Sequence, residues 1–166
     1  MSAQTFGPGE VQGLFDYRAR LIERFERLPT EFARAIAGIP EAEWWLRRAP
    51  DGRNVHAVMA HVRDLAVLAF LPRLRRILAE TDPTLTAFAS HRWSEADYDP
   101  TEPMEGLLAD YARACDESIA LMRGLTPAGW SRRGFHPPTG WRTAQWWVER
   151  ALAHGLEHLP DMRAAR

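Results

Sequence analysis

The sequence predicts an all-α protein, an antiparallel four-helix bundle with two long crossover loops. Three observations carry this prediction. Apolar residues recur at i, i+3 and i+4 in four separate stretches. No stretch alternates apolar with polar residues, as a half-buried strand would. Prolines and glycines gather between the helical stretches, where a bundle needs its connections. At 166 residues the chain suits one domain, residues 1–166.

The first helix spans about residues 11–28, with Val11, Leu14, Phe15, Leu21, Ile22 and Phe25 on one face. Pro29 then permits a restart capped by Thr30. After loop signals at Gly38, Pro40 and Pro50-Asp51-Gly52, a second helix starts at the cap residue Asn54 and reaches about Ala79, kinked at Pro72. Residues 81–100, rich in proline and aspartate, read as the first crossover loop. The third helix fits residues 102–123, capped by Thr101 and stopped at Gly124, with Leu107, Tyr111, Cys115 and Ile119 in its stripe. A second loop, residues 126–142, leads to a last helix that is capped by Thr143 and ended or kinked at Pro160.

Composition removes several function classes. The 21 basic residues are all arginine, so lysine Schiff-base chemistry is impossible. Against 22 acidic residues they leave a net charge of −1, which lacks the basic excess of a duplex nucleic-acid binder. The longest strictly apolar run, residues 65–71, falls far short of the ~20 residues that cross a bilayer, so no membrane partner is expected. No basic segment followed by an apolar one opens the chain, and a lone Cys115 forms no internal disulfide. A cytoplasmic location is the expectation. No G-x-x-x-x-G-K-[ST], G-x-G-x-x-G or G-x-S-x-G motif occurs, which removes the usual support for nucleotide or serine-hydrolase chemistry.

The six histidines sort by helical phase at ~100° per residue. His56 falls opposite the apolar stripe of its helix and reads as solvated. His61 lies at the edge of the buried face, beside Val58, Leu65 and Leu68. His154 and His158, at i and i+4, share a face with Trp147 and Ala151. Burying three imidazoles together is costly unless something binds them, and one divalent metal satisfies all three lone pairs. The alternative is a metal-free polar cluster. Nitrogen ligands suit zinc, nickel or iron(II) without choosing between them.

Other residues carry paired readings. Asp64 either supports the His61 ring or is an ordinary helix-surface carboxylate. Arg18, inside the first apolar stripe, either anchors an anionic substrate or pairs with a carboxylate such as Asp64. His91, Trp93, Asp97 and Tyr98 crowd the first loop, and Arg132, Arg133, His136 and Trp141 the second. They read as walls of a small-molecule pocket, with His91, Arg132 and His136 as substrate-binding candidates, or as a tryptophan-rich packing layer. Cys115 reads as a small core residue. Seven tryptophans are many for one small core, which predicts self-association as a homodimer.

Trp44 or Trp45, Pro50 and the run NVHAVMAHVRDL, followed far downstream by LTPAGWSRRGFHPPTGWRTAQWWVERALAHGLEHLPDMR, resemble the DinB/YfiT-like family of helical-bundle proteins over nearly the whole chain. The resemblance implies a metal held by His61 from the second helix and by His154 and His158 from the last. It departs at Pro160, where the family's helix continues. It further implies members that transfer a low-molecular-weight thiol, mycothiol or bacillithiol, to a small electrophile. A metal-dependent hydrolase and a non-enzymatic, stress-related metal-binding protein stand as alternatives.

Overall fold

The computed structural model describes residues 8–87 and 98–164. Helix α1 is Pro8–Ala37. A 3-10 turn, Glu41–Glu43, leads to α2, Val55–Asp64, which continues through a π-helical stretch, Leu65–Phe70, into α3, Leu71–Ala79. Then follow α4, Met104–Arg123, a short α5, Pro127–Ser131, a hairpin of β1, Arg133–His136, with β2, Gly140–Thr143, and α6, Ala144–Ala164. Four long helices therefore make the bundle, as expected. Helix α1 packs on α4 and α6, and so does the α2–α3 helix, which puts α1 and α2–α3 at opposite corners.

Prolines do not divide the helices where the sequence suggests. Pro29 lies inside α1, with no restart at Thr30. An interior proline costs roughly 3 kcal/mol. Phe25, Leu28, Phe32 and Ile36 form one buried face running across it, and each such side chain contributes about 1.5–3 kcal/mol on burial. Burial wins. Pro160 is likewise internal, because Leu159 and Met162 carry the buried face of α6 past it. At Pro72 the missing N–H and the crowded Leu68 carbonyl are absorbed by the wider π turn just before it.

Within the all-α bundle, the second loop is not a plain connection, since it holds α5 and a two-stranded antiparallel sheet. Each strand is only four residues long, too short for an alternating pattern to stand out. The turn closes with Thr139 N–H donating to the His136 carbonyl, and Gly140 takes the left-handed φ of 77° that follows it. The first crossover lies alongside β1, where Leu85 N–H donates to the Phe135 carbonyl and Phe135 N–H donates to the Pro83 carbonyl.

The α2–α3 helix is apolar enough to pass for a membrane span by composition, yet 61% of its most apolar window is buried inside the bundle. Every residue from Val55 to Val62 is buried. That corrects the placement of His56 on a solvated face: a helix surrounded by its neighbours has no such face. His56 is 1% exposed, donates from Nε2 to the Glu102 carbonyl at 2.7 Å, and accepts at Nδ1 from the Tyr98 hydroxyl at 2.8 Å. Its ring stacks on Trp45.

Candidate metal centre

His61 sits in the last turn of α2, and His154 and His158 occupy successive turns of α6. Helical spacing stacks the α6 pair on one face, and contact between α2 and α6 brings the third ring to them. Gly155 lets α1 and α4 close on α6 beside this pair. A Cβ there would stand 2.9 Å from Leu28 Cδ1 and 3.0 Å from the Tyr111 hydroxyl, so α1 and α4 crowd α6 directly beside His154.

The three rings each offer a nitrogen within 4.8 Å of the others. His61 Nε2 and His154 Nε2 are 3.2 Å apart. Two nitrogens bound tetrahedrally to one zinc ion at ~2.0–2.1 Å stand about 3.3 Å from each other. The separation fits. Burial, reinforced by the positive charge of Arg53 and by the neighbouring His158, pushes His61 down to about 3. Burial and the neighbouring His158 and His61 push His154 down to about 2. Both rings are therefore neutral at pH 7, the protonation state a metal ligand requires.

Asp161 supplies a carboxylate to the triad. His158 Nδ1–H donates to Asp161 Oδ2 at 2.9 Å, which fixes the tautomer and leaves Nε2 as the ligating atom. Asp161 follows Pro160 and reaches the ring only because α6 continues through that proline. A sequence reading that ends the helix at Pro160 misses this partner. A second contribution comes from the turn before α2, where Arg53 pairs with Asp51 at 2.5 Å. Their charges reach the triad with opposite effects on His61.

The remaining candidates take other places. Asp64 pairs with Arg63 at 2.5 Å, in a cluster that also draws Glu102 and Asp110 to that guanidinium. Arg18 does not pair with Asp64: its guanidinium donates to Gln145 Oε1 at 3.0 and 3.2 Å and lies over the Trp130 ring. Arg132 is committed to the end of α3, donating to the carbonyls of Ile77 and Glu80, which lack helical partners. His136 is buried in the hairpin against Trp147. His91 lies outside the described residues, with Trp93 and Asp97.

A small cavity of about 20 Å³ adjoins His154, lined by Phe70, Tyr111 and Cys115 among others. Cys115 is 2% exposed and burial pushes its thiol up to about 12. It is a core residue and not a nucleophile.

Relatives point the same way as the geometry. A protein of Bacillus mycoides (strain KBAB4) named "putative metal-dependent hydrolase" is 24% identical over 145 residues, covering 87% of this chain and 83% of that protein. The protein YfiT of Bacillus subtilis (strain 168), of the same printed description, is 23% identical over 124 residues, covering 75% of this chain and 69% of its own. The solved YfiT structure, described as a probable metal-dependent hydrolase with an unusual four-helix bundle topology, superimposes with a TM-score of 0.75 at 20% identity. That match covers 98% of this chain and 90% of YfiT, and it establishes the fold. The DinB superfamily model matches residues 24–162, a span that includes all three triad histidines. With that match lying over the bundle and its histidine site, this chain belongs to the DinB superfamily.

Proposed function

We propose that the chain is a metal-dependent transferase that adds a low-molecular-weight thiol, such as mycothiol or bacillithiol, to a small electrophile in the cytoplasm. The observation that carries the reading is a three-histidine set with no activated thiol beside it among the described residues: Cys115 is buried and held protonated. A divalent ion (zinc, nickel or iron) held by such neutral ligands would supply a Lewis acid that lowers the pKa of an incoming thiol. His61, His154 and His158 would hold that ion, Asp161 orients His158, and the charges of the Arg53–Asp51 pair act on His61.

Hydrolysis is the second reading, favoured by the names of the two Bacillus relatives. It calls for a proton acceptor near metal-bound water. Incubating metal-loaded protein with a chromogenic electrophile, with and without thiols, separates the two. Turnover that needs both metal and thiol supports the transferase. Thiol-independent turnover abolished by chelation supports the hydrolase, and tight metal binding with neither activity supports a binding protein.

A further inference from the structure

A second cleft, of about 150 Å³, shares Phe70 with the cavity beside His154. Its walls include Arg73, His136, Trp146, Trp147 and Arg150. Trp147 lies two helical turns before His154 on the same face of α6, which puts the cleft roughly 10 Å along the helix from the triad. We propose that this cleft binds the carboxylate of an organic acid, with the charged end on Arg73 and the apolar body against the indole rings.

Arg73 is 8% exposed and carries a charge that no carboxylate balances among the described residues. Its Nε and Nη2 donate to the Thr86 carbonyl, a neutral acceptor, at 3.3 and 3.0 Å, and its guanidinium lies 4.6 Å from the Trp147 ring centre. The contrast with Arg63, held by Asp64, Glu102 and Asp110, is direct. A buried charge without a counterion is costly, and an anionic ligand removes that cost.

Two further groups lack partners. His136 is 7% exposed, and its Nε2 has no hydrogen-bond partner among the described residues. Its Nδ1 lies 2.9 Å from the Thr139 hydroxyl, so Thr139 occupies one ring nitrogen and leaves the other for a ligand. The Trp147 Nε1–H, on a residue 3% exposed, is also unmatched. Two residues of the cleft wall thus hold polar groups with unused hydrogen-bonding capacity among the described residues. One uncompensated positive charge suits a monoanion, because Arg150 at the rim is already paired with Glu157 at 3.0 Å. Leu65, Ala69 and the aromatic rings suit an organic body, which points to a carboxylate and away from inorganic phosphate.

The placement beside the triad rests on the metal-enzyme reading, whereas binding itself is measured apart from it. Titrating metal-loaded, full-length protein with benzoate and with neutral benzamide, followed by tryptophan fluorescence and calorimetry, tests the proposal. Benzoate is expected to bind about tenfold or more tightly than benzamide, since a charge-assisted hydrogen bond is lost in the amide. Arg73→Met should weaken benzoate about 10- to 100-fold and leave benzamide unchanged, and His136→Phe should weaken benzoate at least about threefold. His154→Ala should leave benzoate binding within about threefold, which separates the cleft from an anion landing on the metal. Equal affinity for benzoate and benzamide in the unaltered protein overturns the proposal. So does benzoate binding that vanishes in His154→Ala, or displacement of benzoate by an equal concentration of inorganic phosphate.

Discussion

His154 Nε2 stands 3.2 Å from His61 Nε2, although 93 residues separate the two in the chain. Both rings are buried and neutral, so one N–H lies between two nitrogens that could each serve a cation. The third ring, His158, packs edge-on to both, with ring centres 5.1 Å from His61 and 4.7 Å from His154. The fold holds the three nitrogens together at a cost that metal binding offsets.

Removing one ligand should empty the site. His154→Ala is expected to reduce bound metal from about one ion per chain to a small fraction, measured by elemental analysis of protein that keeps a helical far-UV spectrum. Asp161→Asn should retain the ligands yet weaken metal affinity about 10- to 100-fold, because His158 loses the carboxylate that orients it. Full occupancy in His154→Ala sinks the triad.

Acid should destabilise the metal-free protein over a defined window. An unfolded chain protonates these histidines near pH 6.5, whereas the folded chain holds His61 neutral to about 3 and His154 to about 2. Between those limits the unfolded state binds more protons, so stability is full above pH 6.5 and is lost as pH falls. The two rings together contribute a slope of up to about 3 kcal/mol per pH unit below pH 6. Urea titrations from pH 7 to 4.5 measure it, and His154→Gln should roughly halve this contribution. A flat profile would contradict the burial of the rings.

Gly155→Ala tests the close approach beside the site. Alanine is favoured over glycine by about 1 kcal/mol in a helix, but overpacking costs about 1–3 kcal/mol. A Cβ at 2.9 Å from Leu28 and 3.0 Å from the Tyr111 hydroxyl makes overpacking the larger effect. Net destabilisation of up to about 2 kcal/mol, read from denaturant midpoints, is expected. Increased stability would mean that the three helices relax freely there.

Cys115 should be inert in the native state. A thiol 2% exposed and pushed up to about 12 offers almost no thiolate at pH 8. Labelling by a disulfide reagent should be at least about 100-fold slower than in urea, and Cys115→Ala should keep any thiol-transfer activity. Rapid native labelling would reopen a protein nucleophile.

Self-association is the remaining test. Leu14 and Phe15 on α1 are 40% and 46% exposed, and Trp45 and Leu46 are 38% and 73% exposed. Such patches suit an interface between copies of the chain. Light scattering at tens of micromolar should report a dimer, and a monomer would remove that expectation.

Periodicity alone placed the four helices and put His154 above His158, because i, i+4 neighbours on a helix meet whatever surrounds them. The edge position of His61 was legible for the same reason. Its distance from the α6 pair was not, since α2 and α6 meet only after the bundle assembles. Local rules failed where burial overrode them. Pro29 and Pro160 stay inside helices because the apolar faces continue past them, and Asp161 reaches His158 only as a result. His56 looked solvated by phase, but a helix enclosed on all sides buries every phase. The four-residue strands β1 and β2 carry too few residues for a period of two to show, and pairing across Gly140 decides them. Sequence determines which side chains share a face of one element. Which faces of different elements touch is decided by packing of the whole chain, and the uncompensated Arg73 beside His136 and Trp147 exists only at that level.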